Sequence, residues 1–337
     1  MIELVQKNIY RIEIPLPNTP LKTVNNYFIQ GTDRNLWIDT AYNNPDCRKI
    51  ITEAISLLNV DFSKTDVFLT HKHEDHSGLV NFITAPNSEI LASESTIKML
   101  NTGEHSVSIS DMRIFFERNT PDYEEMFKMY ISQIEHFKTE PINQNLRILR
   151  QGDVLSIKPF RFNVIETPGH DNGHLCLFEE NSGILFSGDH ILGSITPNVS
   201  LWLLEKDVIA EYLASLDKIN ALKINLVLPG HRYTFTDCQR RIDQIKEYHE
   251  NQLEKILQIF SCKDDKDFND LFLTANDVAN KIKRGPILNC LDEFSYTQKV
   301  FATGEAGAHL YHLEKSKLMK SVLHNNLIYY YNHDTIS

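Results

Sequence analysis

Cysteine is scarce in this chain and nowhere paired. Cys47, Cys176, Cys238, Cys262 and Cys290 are spread over 337 residues with no C-x-x-C spacing. An odd, scattered set argues against a disulfide framework and fits reduced thiols, core or surface, in a cytosolic protein. Basic residues are also in deficit: 34 Lys and Arg against 45 Asp and Glu leave a net charge of −11. Binding that coats nucleic acid runs on cations neutralising phosphates, so this balance disfavours nucleic acid as a partner while leaving room for a local basic groove. No apolar run approaches the roughly 20 residues of a membrane span. The opening, MIELVQKNIYRIEIPLP, alternates like a strand where a signal peptide would carry an apolar block. The expectation is a soluble, cytoplasmic protein with no membrane partner. Internal repeats and low-complexity segments are missing too. What is present is 42% apolar residues with 10% aromatics, ample for a packed core. The length fits one large α/β unit with additions, or two unequal domains.

Residues 1–40 read as a β meander: Ile9–Ile14, a turn rich in proline (Pro15, Pro17, Pro20), then Asn26–Ile29 and Leu36–Ile38. Residues 45–58 carry Ile50, Ile51, Ala54, Leu57 and Leu58 at helical spacing. Val67-Phe68-Leu69 reads as a buried strand and Ile90-Leu91-Ala92 as another. Residues 96–140 change character, with Phe115, Phe116, Tyr123, Met126, Phe127, Tyr130, Ile134 and Phe137 at helical spacing, and predict a helical insertion of two or three segments. Strands return from Arg147 onward, at 160–165, 176–178 and 184–186. A helix follows over 206–220 and a strand over 225–228. A long amphipathic helix fits 237–260, with Ile242, Ile245, His249, Leu253, Ile256, Leu257 and Phe260 on one side. Beyond it the spacing predicts helices over Ala275–Lys283 and Gly307–Ser316 and a strand over Leu327–Tyr331.

The stretch Thr70-His71-Lys72-His73-Glu74-Asp75-His76-Ser77-Gly78 carries the chemistry. It leaves a buried strand and enters the helix-like run Leu79–Ile83. Side chains alternate at a strand end, so His71 and His73 share a side, while Asp75 and His76 sit at the turn and can face a second position nearby. Four imidazole and carboxylate groups within six residues suit a borderline metal. A polar loop with chance histidines is the plainer account of one His-x-His, and a poor account of the whole string. Three later strands end alike: Thr167-Pro168-Gly169-His170, Ser187-Gly188-Asp189-His190 and Leu228-Pro229-Gly230-His231. Glycine before the ligand allows a sharp turn and close backbone approach.

The string resembles the His-x-His-x-Asp-His signature of the metallo-β-lactamase superfamily, and the three Gly-His and Gly-Asp elements are similar to its remaining motifs, over about residues 8–235. The resemblance implies an α/β fold: the αββα sandwich, here with a helical insertion and a small C-terminal helix-turn-helix or winged-helix-like domain. It implies residues 1–236 as the catalytic domain with 96–140 as a cap, and 237–337 as a linker helix plus the C-terminal domain. It further implies that His71, His73 and His170 hold one metal, that Asp75, His76 and His231 hold a second, and that Asp189 bridges them. Leu36-Trp37-Ile38-Asp39-Thr40 looks like the family's early motif, whose Asp supports the site from behind. The family's Gly two residues later is Ala41 here. The 99 residues from His71 to His170 are a long separation, which the insertion accounts for.

The expected cofactors are two divalent ions, zinc first, with iron or manganese as alternatives. The expected reaction is hydrolysis, in which a metal-bridging hydroxide, its water's pKa lowered from 15.7 to about 7, attacks the carbonyl of a small ester, thioester or lactone. Asp75, Asp189 and His190 are the candidate catalytic residues. His190 could touch substrate or leaving group, or be an ordinary hydrogen-bonded histidine; His174 reads as structural. Lys72 and Glu74 should point away from the metals, and Asp171-Asn172 reads as a turn. His73, where oxygen-reducing di-iron relatives carry Glu, favours hydrolysis over redox chemistry. The partner is a small-molecule substrate, and a homodimer is one assembly the chain could form. The aromatic insertion could wall an acyl pocket or simply pack on the core. Alternatives are a phosphodiesterase or endoribonuclease on the same scaffold, or a binding protein with a relic metal site. Residues 264–337 hold 8 Lys and Arg against 10 Asp and Glu, net −2, which weakens the nuclease reading.

Overall fold

Alternation along short apolar strands dictates the first part of the architecture. The computed structural model describes residues 1–16, 19, 21–103, 108–134, 141–142, 145–202, 206–261, 271–282 and 295–332. In chain order its elements are β1 (Ile2–Gln6), β2 (Ile9–Pro15), β3 (Thr23–Ile29), β4 (Asn35–Ile38), α1 (Pro45–Leu58), β5 (Thr65–Phe68), α2 (Glu74–Ser77), α3 (Val80–Ile83), β6 (Glu89–Ala92), α4 (Glu94–Thr102), α5 (Ile109–Asn119) and α6 (Tyr123–Ile134). There follow β7 (Asn145–Ile148), β8 (Val154–Ile157), β9 (Phe160–Glu166), β10 (Leu175–Glu179), β11 (Ile184–Gly188), α7 (Val208–Asn220), β12 (Leu226–Pro229), α8 (Cys238–Ser261), α9 (Ala275–Lys281), α10 (Tyr296–Lys315), β13 (Met319–His324) and β14 (Leu327–Asn332).

The chain divides into two compact units. The first comprises Met1–Ser106, Phe137–Pro197 and Ser215–Ile242. It holds a seven-stranded sheet in the order β1-β2-β3-β4-β5-β6-β7 and a five-stranded sheet in the order β12-β11-β10-β9-β8. Both are mixed: β1 to β4 pair antiparallel and β4 to β7 parallel, while β8 to β11 pair antiparallel and β11 with β12 parallel. The period of two sorts side chains between two cores. Tyr27, Ile29, Leu36, Ile38, Phe68 and Leu91 face the core shared with Phe162, Val164, Leu175, Leu177, Phe186 and Leu228 of the second sheet. Their neighbours Phe28, Trp37, Val67 and Ile90 face the opposite way, onto Cys47, Ile51 and Ala54 of α1. A sheet covered on both faces needs such continuous apolar runs. Each buried Leu, Ile or Phe contributes roughly 1.5–3 kcal/mol.

The α1 helix starts where Asn44 caps the Cys47 amide ahead of Pro45, and stops at left-handed Asn59. Of the apolar positions that marked it, Ile51 and Ala54 are buried, whereas Leu57 lies exposed on the outer face. The Pro17 and Pro20 of the expected turn lie outside the described residues.

The second unit comprises Val107–His136, Asn198–Ala214 and Asp243–Ser337. It gathers α5 and α6 of the insertion with α9, α10 and the β13–β14 hairpin. Ile256, Phe260, Leu273, Val278, Ala306, Leu310 and Tyr330 form its core. Phe115 and Phe116 lie against Trp202, with ring centroids at 5.8 and 6.0 Å. The α10 helix begins eleven residues before the expected Gly307, at a Ser295–Gln298 capping box. Its N-terminal half hid from the sequence pattern because it packs small residues rather than large ones. A Cβ on Gly304 would come within 2.8 Å of Trp202, and one on Gly307 within 2.8 Å of Phe115.

Candidate metal centre

The site is assembled at the ends of strands in both sheets of the first unit. After β5 the chain runs past Leu69, whose amide donates to Leu91 O, to Thr70, whose amide and hydroxyl both donate to Asp39, each at 2.8 Å. Asp39 follows β4 with φ +59, a left-handed conformation that Asp adopts more readily than most residues. Ala41 does not have a positive φ, so glycine's conformational freedom is not required there.

Hydrogen bonds at the far side of three of the rings set which nitrogen faces inward. With the Thr70 hydroxyl donating to Asp39, His71 Nδ1 donates to Thr70 Oγ1 at 3.0 Å, leaving Nε2 as its inward atom. His76 Nδ1 donates to Asp39 Oδ2 at 2.9 Å, and His231 Nδ1 to Thr23 O at 2.6 Å. The inward atoms converge. His73 Nδ1 lies 2.9 Å from His71 Nε2 and 3.1 Å from His170 Nε2. On the other side His76 Nε2 lies 3.3 Å from His231 Nε2, which is 3.4 Å from Asp75 Oδ2. Asp189 stands between: Oδ2 is 3.3 Å from His231 Nε2 and 3.8 Å from His170 Nε2, and Oδ1 is 3.5 Å from His76 Nε2.

Three overlapping groups therefore have ligand atoms within 4.8 Å of one another: His71, His73 and His170; His71, His76 and Asp189; Asp75, His76 and His231. All seven sequence-derived candidates for metal binding come together. His190, the remaining catalytic candidate, is fully buried beside them, its ring centroid 6.1 Å from that of His174. The approach is so close that a Cβ on Gly230 would fall 2.5 Å from Asp189 Oδ1 and 2.8 Å from the His76 ring.

Electrostatics distinguish the two halves. Burial, then the neighbouring histidines His76 and His73, pushes His71 well below the usual imidazole range. Burial followed by His170 brings His73 down to about 4. Those rings stay neutral, with lone pairs available. In the other half burial alone would neutralise the groups, but Asp189, Asp75 and Asp39 raise His76 well above its ordinary value. Against burial, Asp189 and then Asp75 bring His231 to about 9. Conversely, burial would raise both carboxylates, yet His76 and His231 hold Asp75 down to about 2 and Asp189 well below the carboxylate range. Burial also keeps His190 at about 3, neutral at physiological pH.

These features fit a pair of divalent cations. Buried ionised carboxylates are costly unless they meet positive charge. Asp189 Oδ1 receives no hydrogen bond, and imidazole nitrogens aimed at one another at 2.9–3.3 Å are arranged as they would be around ions. The donor set of nitrogen and oxygen suits zinc, iron or manganese.

The supports reach further than the motifs. Lys72 turns away from the ligands, as expected, and pairs with Asp171 at 2.9 Å, tying the His71–His73 loop to that of His170. Against burial, that ammonium holds Asp171 down to about 2. Asp171 also accepts from the Gly173 amide, as a turn residue would. Asn25, one residue ahead of the strand read from Asn26, donates through Nδ2 to Pro229 O at 2.9 Å and Arg232 O at 2.8 Å, and Tyr27 Oη donates to Pro229 O at 2.8 Å. Strand β3 thus clamps the turn that presents His231. The signal for it was two adjacent asparagines, Asn25 and Asn26, in an apolar strand, since buried amides require partners.

Comparison with known proteins agrees with this geometry. A family model described as the metallo-beta-lactamase superfamily matches residues 19–231. Over 97% of its length the chain is 24% identical to "Probable metallo-hydrolase YqjP" of Bacillus subtilis, covering 98% of that protein. It is 26% identical to the acyl-coenzyme A thioesterase MBLAC2 of Gallus gallus, over 61% of this chain and 72% of that one. Among solved structures, the metallo-beta-lactamase family protein TTHA1429 from Thermus thermophilus superposes with a TM-score of 0.79 at 25% identity, over 98% of this chain and 100% of the other.

Proposed function

The chain belongs to the metallo-beta-lactamase superfamily and is a metal-dependent hydrolase, and from that premise we propose that it cleaves a small acyl substrate, a thioester ahead of an ester or lactone. The observation that carries the reading is Asp189: its carboxylate faces ligand atoms of both triads, with Oδ2 3.8 Å from His170 and 3.3 Å from His231 and Oδ1 3.5 Å from His76. In this reading His71, His73 and His170 hold one ion, Asp75, His76 and His231 a second, and Asp189 is shared. Divalent ions held there supply the charge that polarises a carbonyl and brings the pKa of water toward about 7.

The chain's own residues do the rest. Neutral His71 and His73 offer lone pairs without bringing charge, so the negative charge of the pocket comes from Asp75 and Asp189. Asp75 and Asp189, kept ionised, can accept a hydrogen bond from the attacking water and so orient it. His190 is neutral and buried, so it acts through hydrogen bonding rather than as a proton donor at neutral pH. Asp39, Thr70, Thr23 and Asn25 keep the rings turned inward while substrate comes and goes. The preference for a thioester rests on the likeness to a protein named as an acyl-coenzyme A thioesterase. In the same reading, α9, α10 and the β13–β14 hairpin form a winged-helix-like extension that serves shape rather than phosphate binding, given its net charge of −2, with 8 Lys and Arg against 10 Asp and Glu over 264–337.

The test pairs metal analysis with a substrate panel. Protein purified without chelators should hold two transition-metal ions per chain, and should turn over acyl thioesters faster than lactones, phosphodiesters or short RNA. Metal-free protein that rebinds none would overturn the metal assignment; turnover confined to RNA, with steeply salt-dependent binding, would replace the acyl substrate by nucleic acid.

A further inference from the structure

His174 stands outside the ligand set, and both of its ring nitrogens are engaged in holding that set. It is buried just before β10, four residues after His170. Its Nε2 accepts the backbone N–H of Asp189 at 3.1 Å. An amide can only donate, so Nε2 carries the lone pair and the ring proton sits on Nδ1. That proton is directed at Thr167 Oγ1, 2.8 Å away, and Thr167 Oγ1 in turn lies 3.3 Å from Cys176 Sγ. The tautomer is thus fixed from both sides.

The same ring reaches the histidine ligands. It packs on His71 with centroids 5.1 Å apart and planes at 33°, and lies 6.4 Å from His170. Backbone bonds lock its place: the Thr167 amide donates to His174 O at 2.9 Å, and the Leu175 amide to Thr70 O at 2.7 Å. Gly188, at φ +46, permits the approach, for a Cβ there would lie 2.6 Å from His174 Nε2 and 2.8 Å from Thr70. One imidazole therefore joins Thr167 in the turn before His170, the ring of His71 and the amide of Asp189.

We infer that His174 is a positioning residue: it fixes the Asp189 carboxylate between the two triads through the Asp189 amide, and backs the His71 ring. The inference rests on the proposed two-metal reading. A ring that merely filled space would be replaceable by any side chain of its volume. A positioning ring is replaceable only by one that returns an acceptor at the Nε2 place. Outer groups that orient ligands commonly change metal affinity by about ten- to a hundredfold when removed.

Nitrogen-15 NMR of the full-length wild-type protein tests the link directly. A scalar coupling across the hydrogen bond, between the Asp189 amide nitrogen and His174 Nε2, is expected, with the ring proton on Nδ1. Zinc affinity, measured by competition with a chromophoric chelator, should fall about ten- to a hundredfold in His174→Leu and recover most of that loss in His174→Gln, whose Oε1 can take the place of Nε2. A ring protonated on Nε2 with no coupling overturns the inference, as does His174→Leu binding zinc as tightly as wild type. Should the Leu variant fail to fold, the coupling and the Gln variant still decide. Wild-type protein that shows the coupling but binds no zinc keeps the His174–Asp189 link and removes the metal pair instead.

Discussion

Asp189 and His190 are neighbours in sequence with opposite surroundings. Asp189 has oxygens beside His76, His170 and His231, whereas His190 is wholly buried and neutral. On the proposed reading, removing the first takes a shared ligand from both triads; removing the second leaves a cavity. Asp189→Ala is expected to lower kcat/KM by at least about a thousandfold, equivalent to ~4 kcal/mol. His190→Ala should cost far less, with a lower melting temperature as its main effect. Steady-state kinetics on the two purified variants, alongside metal content, checks this; equal and mild losses would mean the bridge is elsewhere. The histidines of the motif could be read as ligands from their spacing. Which nitrogen His71, His76 and His231 present could not, because Asp39 and the carbonyl of Thr23 reach in from other strands, and Thr70 is itself oriented by Asp39.

At the scale of elements, α8 and α10 of the second unit carry a buried histidine pair. His249 Nδ1 lies 3.0 Å from His309 Nε2, and His309 Nδ1 donates to Glu305 O at 2.8 Å, so His249 is the donor between the rings. Burial, then the neighbouring His309, holds His249 down to about 3. The folded pKa lies below the unfolded value near 6.5, so the unfolded chain takes up the proton first on acidification. The contribution of His249 to stability is fully present above about pH 7 and declines as pH falls from 6.5 toward 3. Linkage puts the loss at about 2 kcal/mol between pH 7 and 5. Denaturant unfolding across that range should show the decline, and His249→Asn, which keeps a donor and does not titrate, should flatten it. An unchanged slope in the variant would assign the decline to other groups. The α10 helix offers a second element-scale outcome. Ala in place of Gly in a helix usually stabilises by about 0.5–1 kcal/mol, but at Gly304 the new methyl meets Trp202 and Ser200 within 3 Å. Gly304→Ala is therefore expected to destabilise by roughly 1–3 kcal/mol, read as a lower denaturation midpoint.

At the scale of the molecule, the second unit is built from three stretches of chain, so no single cut removes it cleanly. A chain ending near Phe260 would lose α9, α10 and the hairpin while keeping α5 and α6. Phe115 and Phe116, fully buried in the intact protein, would lose much of their cover, as would Ile256 and Phe260. The truncated protein is expected to aggregate or to bind an apolar dye strongly, as seen by size exclusion and fluorescence. A monodisperse product with the melting temperature of the full chain would show that the second unit does not depend on its C-terminal part. Among the described residues no helix is long and apolar enough to cross a membrane.

The sequence by itself determined what local periodicity and chemistry can express. The period of two in β2, β3 and β4, the capped α1, the buried side of α8 and the seven His and Asp candidates are all properties of short windows. Each motif lies at a strand end, where a ligand string is forced to leave the sheet. Three things needed the tertiary structure. The first is the extent of α10, whose Gly and Ala positions look like weak helix until Trp202 and Phe115 are seen to occupy the space they leave. The second is the company of the insertion, since α5 and α6 belong by packing with chain that follows more than a hundred residues later. The third is the orientation of the His71, His76 and His231 rings, set by Thr70, Asp39, Thr23 and Asn25, and the bond from the Asp189 amide to His174. Those contacts join residues up to 208 positions apart, and a hydrogen bond across that distance leaves no periodic trace in the chain that makes it.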